Sequence, residues 1–122
     1  MSTTATNLKI GLNFDFFMMQ FMETPSFKET DMAHMIVIDP DGEITEYQRR
    51  RNNPPPLQEL QKIVGGYIEK VWGNKDNTAI AYCNEEGKIH KLPPNEKATQ
   101  AIRMEHDTLV GNVVFLFGFE EE

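Results

Sequence analysis

A chain of 122 residues with 39% hydrophobic and 25% charged side chains has enough apolar material for one modest core and is too apolar to stay unfolded. Its formal charge of −7 argues against broad nucleic-acid binding, which needs clustered cations to displace counterions. A single cysteine, Cys83, excludes an internal disulfide, and the opening residues lack the basic start and continuous apolar run of a secretory signal; the expected location is cytoplasmic, with no membrane span.

Residues 1–7 are polar and read as a frayed terminus. In residues 8–22, Leu8, Ile10 and Leu12 alternate with Lys9, Gly11 and Asn13, as in a strand, and Phe14 and Phe16 extend the parity. A short helix over 16–22 competes, because the apolar run there is nearly continuous. Four phenylalanines and three methionines are too much apolar surface to leave wet, at about 1.5–3 kcal/mol for each buried side chain. The segment is expected to complete the core or to pack on a second copy. Residues 24–31 read as a polar connector.

Residues 35–38 form a compact apolar strand, Asp39-Pro40-Asp41-Gly42 a hairpin turn, and residues 43–47 the returning strand. Residues 48–56, QRRRNNPPP, are the most basic point of the chain. Arg49, Arg50 and Arg51 stand beside prolines just before a helix, where solvated loop charges and a phosphate or carboxylate site are the two readings. That helix puts Leu57, Leu60, Ile63 and Val64 on one side, with Pro56 at its first position and Gly65-Gly66 as its exit. Strands follow at 67–72 and 78–83, joined by a turn at 73–77. Asn84-Glu85-Glu86-Gly87 fits a hairpin turn with a return strand ending at Pro93-Pro94. Asn95 is a candidate N-cap for a helix over 96–104. In residues 113–119, Val113, Phe115, Phe117 and Phe119 share one face and Val114 and Leu116 the other, as in a central strand. Residues 120–122 are an acidic tail.

The run LQELQKIVGGYIEKV, the CNEEGK turn and the LPPN that follows resemble a small family of phage, plasmid and bacterial chains, catalogued as domain of unknown function 3846. The resemblance spans roughly residues 35–119. It implies a compact α+β domain and a mobile-element setting (host cytoplasm if viral), and no catalytic residues. The expected organisation is an N-terminal extension over 1–34, one domain over 35–119, and the tail over 120–122. The fold expected from the turns is α+β: a mainly antiparallel sheet with two helices packed against it, plus an N-terminal apolar strand or helix at an edge or in a dimer contact.

No motif carries chemistry by itself. His34, His90 and His106 stand at no metal-ligand spacing with each other or with Cys83, and there is no P-loop, GxGxxG, GxSxG or HExxH. Cys83 in a strand reads as a small buried hydrophobe. A pairing of His106 with Asp107, or of Cys83 with His90 or His106, would have to be assembled by the fold. No cofactor, metal or catalytic residue is expected, and a non-enzymatic role is favoured. The leading expectation is an accessory protein that sequesters a small anionic ligand, with an anti-defence role if the ligand is a nucleotide immune signal. Candidate ligand-binding residues are Arg49, Arg50, Arg51 and Arg103 for the charge and Tyr67, Trp72 and Tyr82 for stacking. Self-association as a homodimer or larger ring is expected alongside. The alternatives are an acidic regulator that binds a host protein and an unrecognised enzyme acting on a nucleotide.

Overall fold

The computed structural model describes residues 4–8, 32–75 and 78–120. Within them the elements run β1 (Thr4–Leu8), β2 (Met32–Ile38), β3 (Ile44–Arg50), α1 (Leu57–Val64), β4 (Ile68–Gly73), β5 (Ala79–Asn84), α2 (Glu96–Ala101) and β6 (Val113–Phe117). The strands form one sheet in the order β1-β3-β2-β6-β5-β4, with every neighbouring pair antiparallel. The fold is α+β, as expected. The apolar stretch of the leader, residues 9–31, lies outside the described residues.

The sheet is covered on both faces. Ile36, Ile38, Val113, Phe115 and Phe117 look to one side, where Ala98 of α2 joins them. Met35, Val114 and Leu116 look to the other and pack with Leu60 and Val64 of α1. This division follows from the two-residue period of a strand. It explains why β6, apolar on both faces, is central between β2 and β5.

The turns show which residues set the path. Gly42, at φ 87°, closes the β2–β3 hairpin: its N–H donates to Asp39 O at 2.9 Å, and Asp39 N to Glu43 O at 3.0 Å. Gly65, at φ 80°, ends α1, and Gly66 N donates back to Gln61 O at 3.0 Å. The last carbonyls of α1 are then met by side chains from the sheet. Asn84 Nδ2 donates to Val64 O at 3.1 Å and Asn112 Nδ2 to Ile63 O at 3.0 Å. A Cβ on Gly66 would stand 2.9 Å from Asn84 Nδ2, so the second glycine makes room for that cap. Asn95 is the N-cap of α2, and its side chain accepts from Ala98 N at 3.1 Å. The same amide donates to Ile38 O and Gly111 O, both at 2.8 Å, and ties α2 to the ends of β2 and β6.

Four expectations are corrected. Residues 4–8 do not fray: they pair with β3 from Thr4↔Gln48 to Leu8↔Ile44 and extend the sheet at that edge. No return strand follows Gly87. Residues 85–91 wind through consecutive turns, with His90 N donating to Glu86 O at 3.0 Å and Leu92 N to Gly87 O at 2.9 Å. β5 already has a partner on each side, β4 and β6, so no edge is left for a hairpin strand. The second helix stops at Ala101 and not at 104, where Ile102 N and Arg103 N close the chain into a turn. Phe119 does not share a face with Phe117, because β6 ends at Phe117 and Gly118, at φ 84°, reverses the alternation. Phe119 packs on the α1 side.

Candidate functional site

The basic stretch leaves β3 at the edge of α1 and is fastened on both sides. Arg49 shares the α1 face with Tyr47 and is nearly buried. Its Nη1 donates to Glu59 Oε1 at 2.7 Å and its Nε to Asn53 O at 3.0 Å, so this guanidinium pins the loop to the first turn of α1. Arg51 Nε donates to Gly118 O at 2.8 Å, and Glu120 N returns a bond to Arg51 O at 2.9 Å. The chain after β6 is thereby laced to the chain after β3.

Two adjoining cavities result, and Glu120 lines both. The smaller, about 270 Å³, is walled by Arg50, Arg51 and Asn52. The larger, about 430 Å³, is a groove between the start of α1 and strands β5 and β6. Pro54, Pro55 and Pro56 form its rim, Leu57 and Leu60 one wall, and Ile80, Tyr82, Leu116 and Phe119 the other. Leu57 is 52% exposed because it faces this opening and not the core. Pro56 occupies the N-cap position of α1 without a side-chain cap bond, so the positive end of the helix dipole opens at the groove.

The structure brings Arg50, Arg51 and Tyr82 to these two cavities. It sends the other candidates elsewhere. Arg49 is held by Glu59. Tyr67, 67% exposed, sits past the C-terminal end of α1, while the groove opens at its N-terminal end. Trp72 packs against the core on the α2 side of the sheet. Arg103 follows α2 on that same far side, at φ 55°. Leu57, Phe119 and the three prolines were missed as site residues. The sequence held no signal for Leu57, which falls on the same helical stripe as Leu60 and Val64 and is told apart from them only by its exposure in the fold.

Cys83 and Asp107, named in the catalytic pairings, have these surroundings. Cys83 is buried, and burial, with Glu69 adding to it, pushes its thiol up to about 11; it stays protonated and poorly nucleophilic at neutral pH. Asp107 is hydrogen-bonded to Lys88, which holds its carboxyl below the usual range, and it is not the partner of His106. Among the described residues no three His, Cys, Asp or Glu gather as a metal site would require. No helix among them is long and apolar enough to cross a membrane.

A family model described as Domain of unknown function (DUF3846) matches residues 32–122, about three quarters of the chain. The chain belongs to that family. No curated protein and no solved structure matches it. The three runs that carry the DUF3846 resemblance are structural joints. VGG ends α1 and admits Asn84; CNEEG holds Asn84, whose Oδ1 accepts from Glu86 N at 2.8 Å; LPPN supplies Asn95. They brace this chain's fold, and the first run also reaches the groove, through Leu57 and Leu60.

Proposed function

We propose that this chain is a binding protein for a small anionic ligand, which it holds at the Arg50–Arg51–Asn52 pocket and the adjoining groove. The observation that carries the reading is the adjacency of a two-arginine cavity to an apolar one, with Glu120 on the wall of both. Paired guanidinium groups suit carboxylate or phosphate oxygens, and the uncapped end of α1 adds favourable potential at the groove mouth. An apolar recess with a few convergent polar groups is the usual form of a small-molecule site. The chain as a whole, at −7, gives no general attraction for polyanions, which favours one local anion over a nucleic-acid strand.

A protein that binds without turnover acts by sequestration. In the mobile-element setting that the family resemblance implies, a signalling nucleotide of the host is one such ligand, and removing it would serve an anti-defence role. Calorimetric titration with inorganic phosphate, nucleoside monophosphates and cyclic dinucleotides tests this. At least one is expected to bind, and Arg50→Glu is expected to weaken it tenfold or more. Ligand released by denaturing the complex should be chemically intact; recovery of a product in its place makes the chain an enzyme. No heat with any anion removes the reading.

A further inference from the structure

We infer that the ligand of this site is an amphipathic acid: a single carboxylate or phosphate head on an acyl or aryl body, with the head at Arg50 and Arg51 and the body in the groove. The inference rests on the anion-binding reading and narrows it. The groove is the larger cavity, about 430 Å³ against about 270 Å³, so most of a bound ligand would lie there. Its walls are proline, leucine, isoleucine and phenylalanine side chains. The side chains on it with polar atoms are Thr78, Tyr82 and Glu120.

A nucleobase carries several donors and acceptors on its edge, and each one desolvated without a partner costs binding energy. The polar groups available to that edge are two hydroxyls, a carboxylate and the N–H groups at the start of α1, fewer than the apolar side chains around them. An alkyl or aryl body makes no such demand and gains from contact with Leu57, Ile80, Leu116 and Phe119. The charges point the same way. The head cavity has Arg50 and Arg51 against Glu120, a small positive excess that suits one acid group better than a polyphosphate chain. Arg51 also donates to Gly118 O, and Gly118 directs Phe119 to the α1 side of the sheet, so head pocket and apolar wall are built by the same few residues.

The test is a matched series on the unmodified full chain by calorimetry: octyl phosphate, 1-octanol, inorganic phosphate and adenosine monophosphate, all below micelle-forming concentrations. Octyl phosphate is expected to bind at least tenfold more tightly than each of the other three. Two variants at exposed positions locate it. Arg50→Glu should weaken octyl phosphate at least tenfold. Leu57→Glu, which places a charge in the groove at a helix start that accepts acids, should weaken octyl phosphate similarly and leave inorganic phosphate within about twofold. If inorganic phosphate or the nucleotide binds as tightly as octyl phosphate, the amphipathic assignment fails and the anion-binding reading survives. If 1-octanol matches octyl phosphate, the acid head contributes nothing and the amphipathic assignment fails; if no anion of this series binds and the cyclic dinucleotides give no heat either, both fail. The ligand series decides even if a variant does not fold.

Discussion

Asn95 shows how much one side chain can settle. Its Oδ1 caps α2, its Nδ2 serves the carbonyls of Ile38 and Gly111, and its own N–H donates to Leu109 O at 2.8 Å, all without solvent exposure. Asn95→Ala loses the cap and leaves two buried carbonyls unmet, an expected cost of about 2–4 kcal/mol. Asn95→Asp keeps the cap acceptor but loses the donor and brings a carboxylate among carbonyl oxygens, so it should cost at least as much as alanine. Asn95→Ser should fall nearer to alanine than to wild type, because the hydroxyl caps but cannot reach both carbonyls. Urea midpoints of the three variants check the order. Full recovery by serine would mean that the cap alone matters. The cap was legible in the sequence from an asparagine after two prolines and before a helical stretch; the two donor bonds, to residues 57 and 16 positions away, were not.

At the scale of elements, the turns decided what could be read and what could not. Asp41-Gly42 and Gly65-Gly66 acted locally, through left-handed backbone, and both were legible. Gly87 forms the expected turn, with its N–H on Asn84 O at 3.1 Å, but the strand expected after it has no place in the sheet. That failure was non-local, since strand order decides it and turn chemistry does not. Gly118 was the costlier miss: alternation was read straight through it, Phe119 was put on the wrong face, and the groove lost a wall. Gly118→Ala must hold a side chain at φ 84°, an expected cost of about 1–2 kcal/mol, and should also disturb Phe119. Gly65→Ala is the control, because φ is 80° and no atom lies within 4 Å of the added Cβ, so backbone strain alone applies. The two should lower stability by similar amounts. Only Gly118→Ala should shift the resonances of Tyr82 and Leu116 across the groove. Equal silence at those residues would detach Gly118 from the site. The site itself was half legible. Three basic residues in a row marked the region, but which of them faces the cavity depends on where β3 ends: Arg49, inside the strand, points at Glu59, while Arg50 at its last position and Arg51 beyond it line the cavity.

At the scale of the whole molecule, the sheet ends, among the described residues, at β4 on one side and at β1 on the other, and the two edges are guarded differently. β4 carries Glu69 and Lys70 exposed and a register irregularity between Lys70 and Trp72, both of which hinder pairing with another chain. β3 would be the other edge, seven residues long and held along its length by β2, if β1 did not cover five of its positions. Backbone N–H groups of successive strand residues point to opposite sides, so one of Ala5 and Thr6 directs its N–H toward β3. The double change Ala5→Pro and Thr6→Pro therefore removes at least one ladder donor and should release β1. A bare β3 is a template for a second copy, and the variant should gain mass with concentration in light scattering while the parent does not. The sign of the change is the decisive reading. If residues 8–22, which follow on from β1, serve instead as a contact between subunits, as their apolar composition suggests, the parent is the larger particle and the proline variant the smaller. A drop in mass would then move the role of β1 from covering an edge to joining two copies.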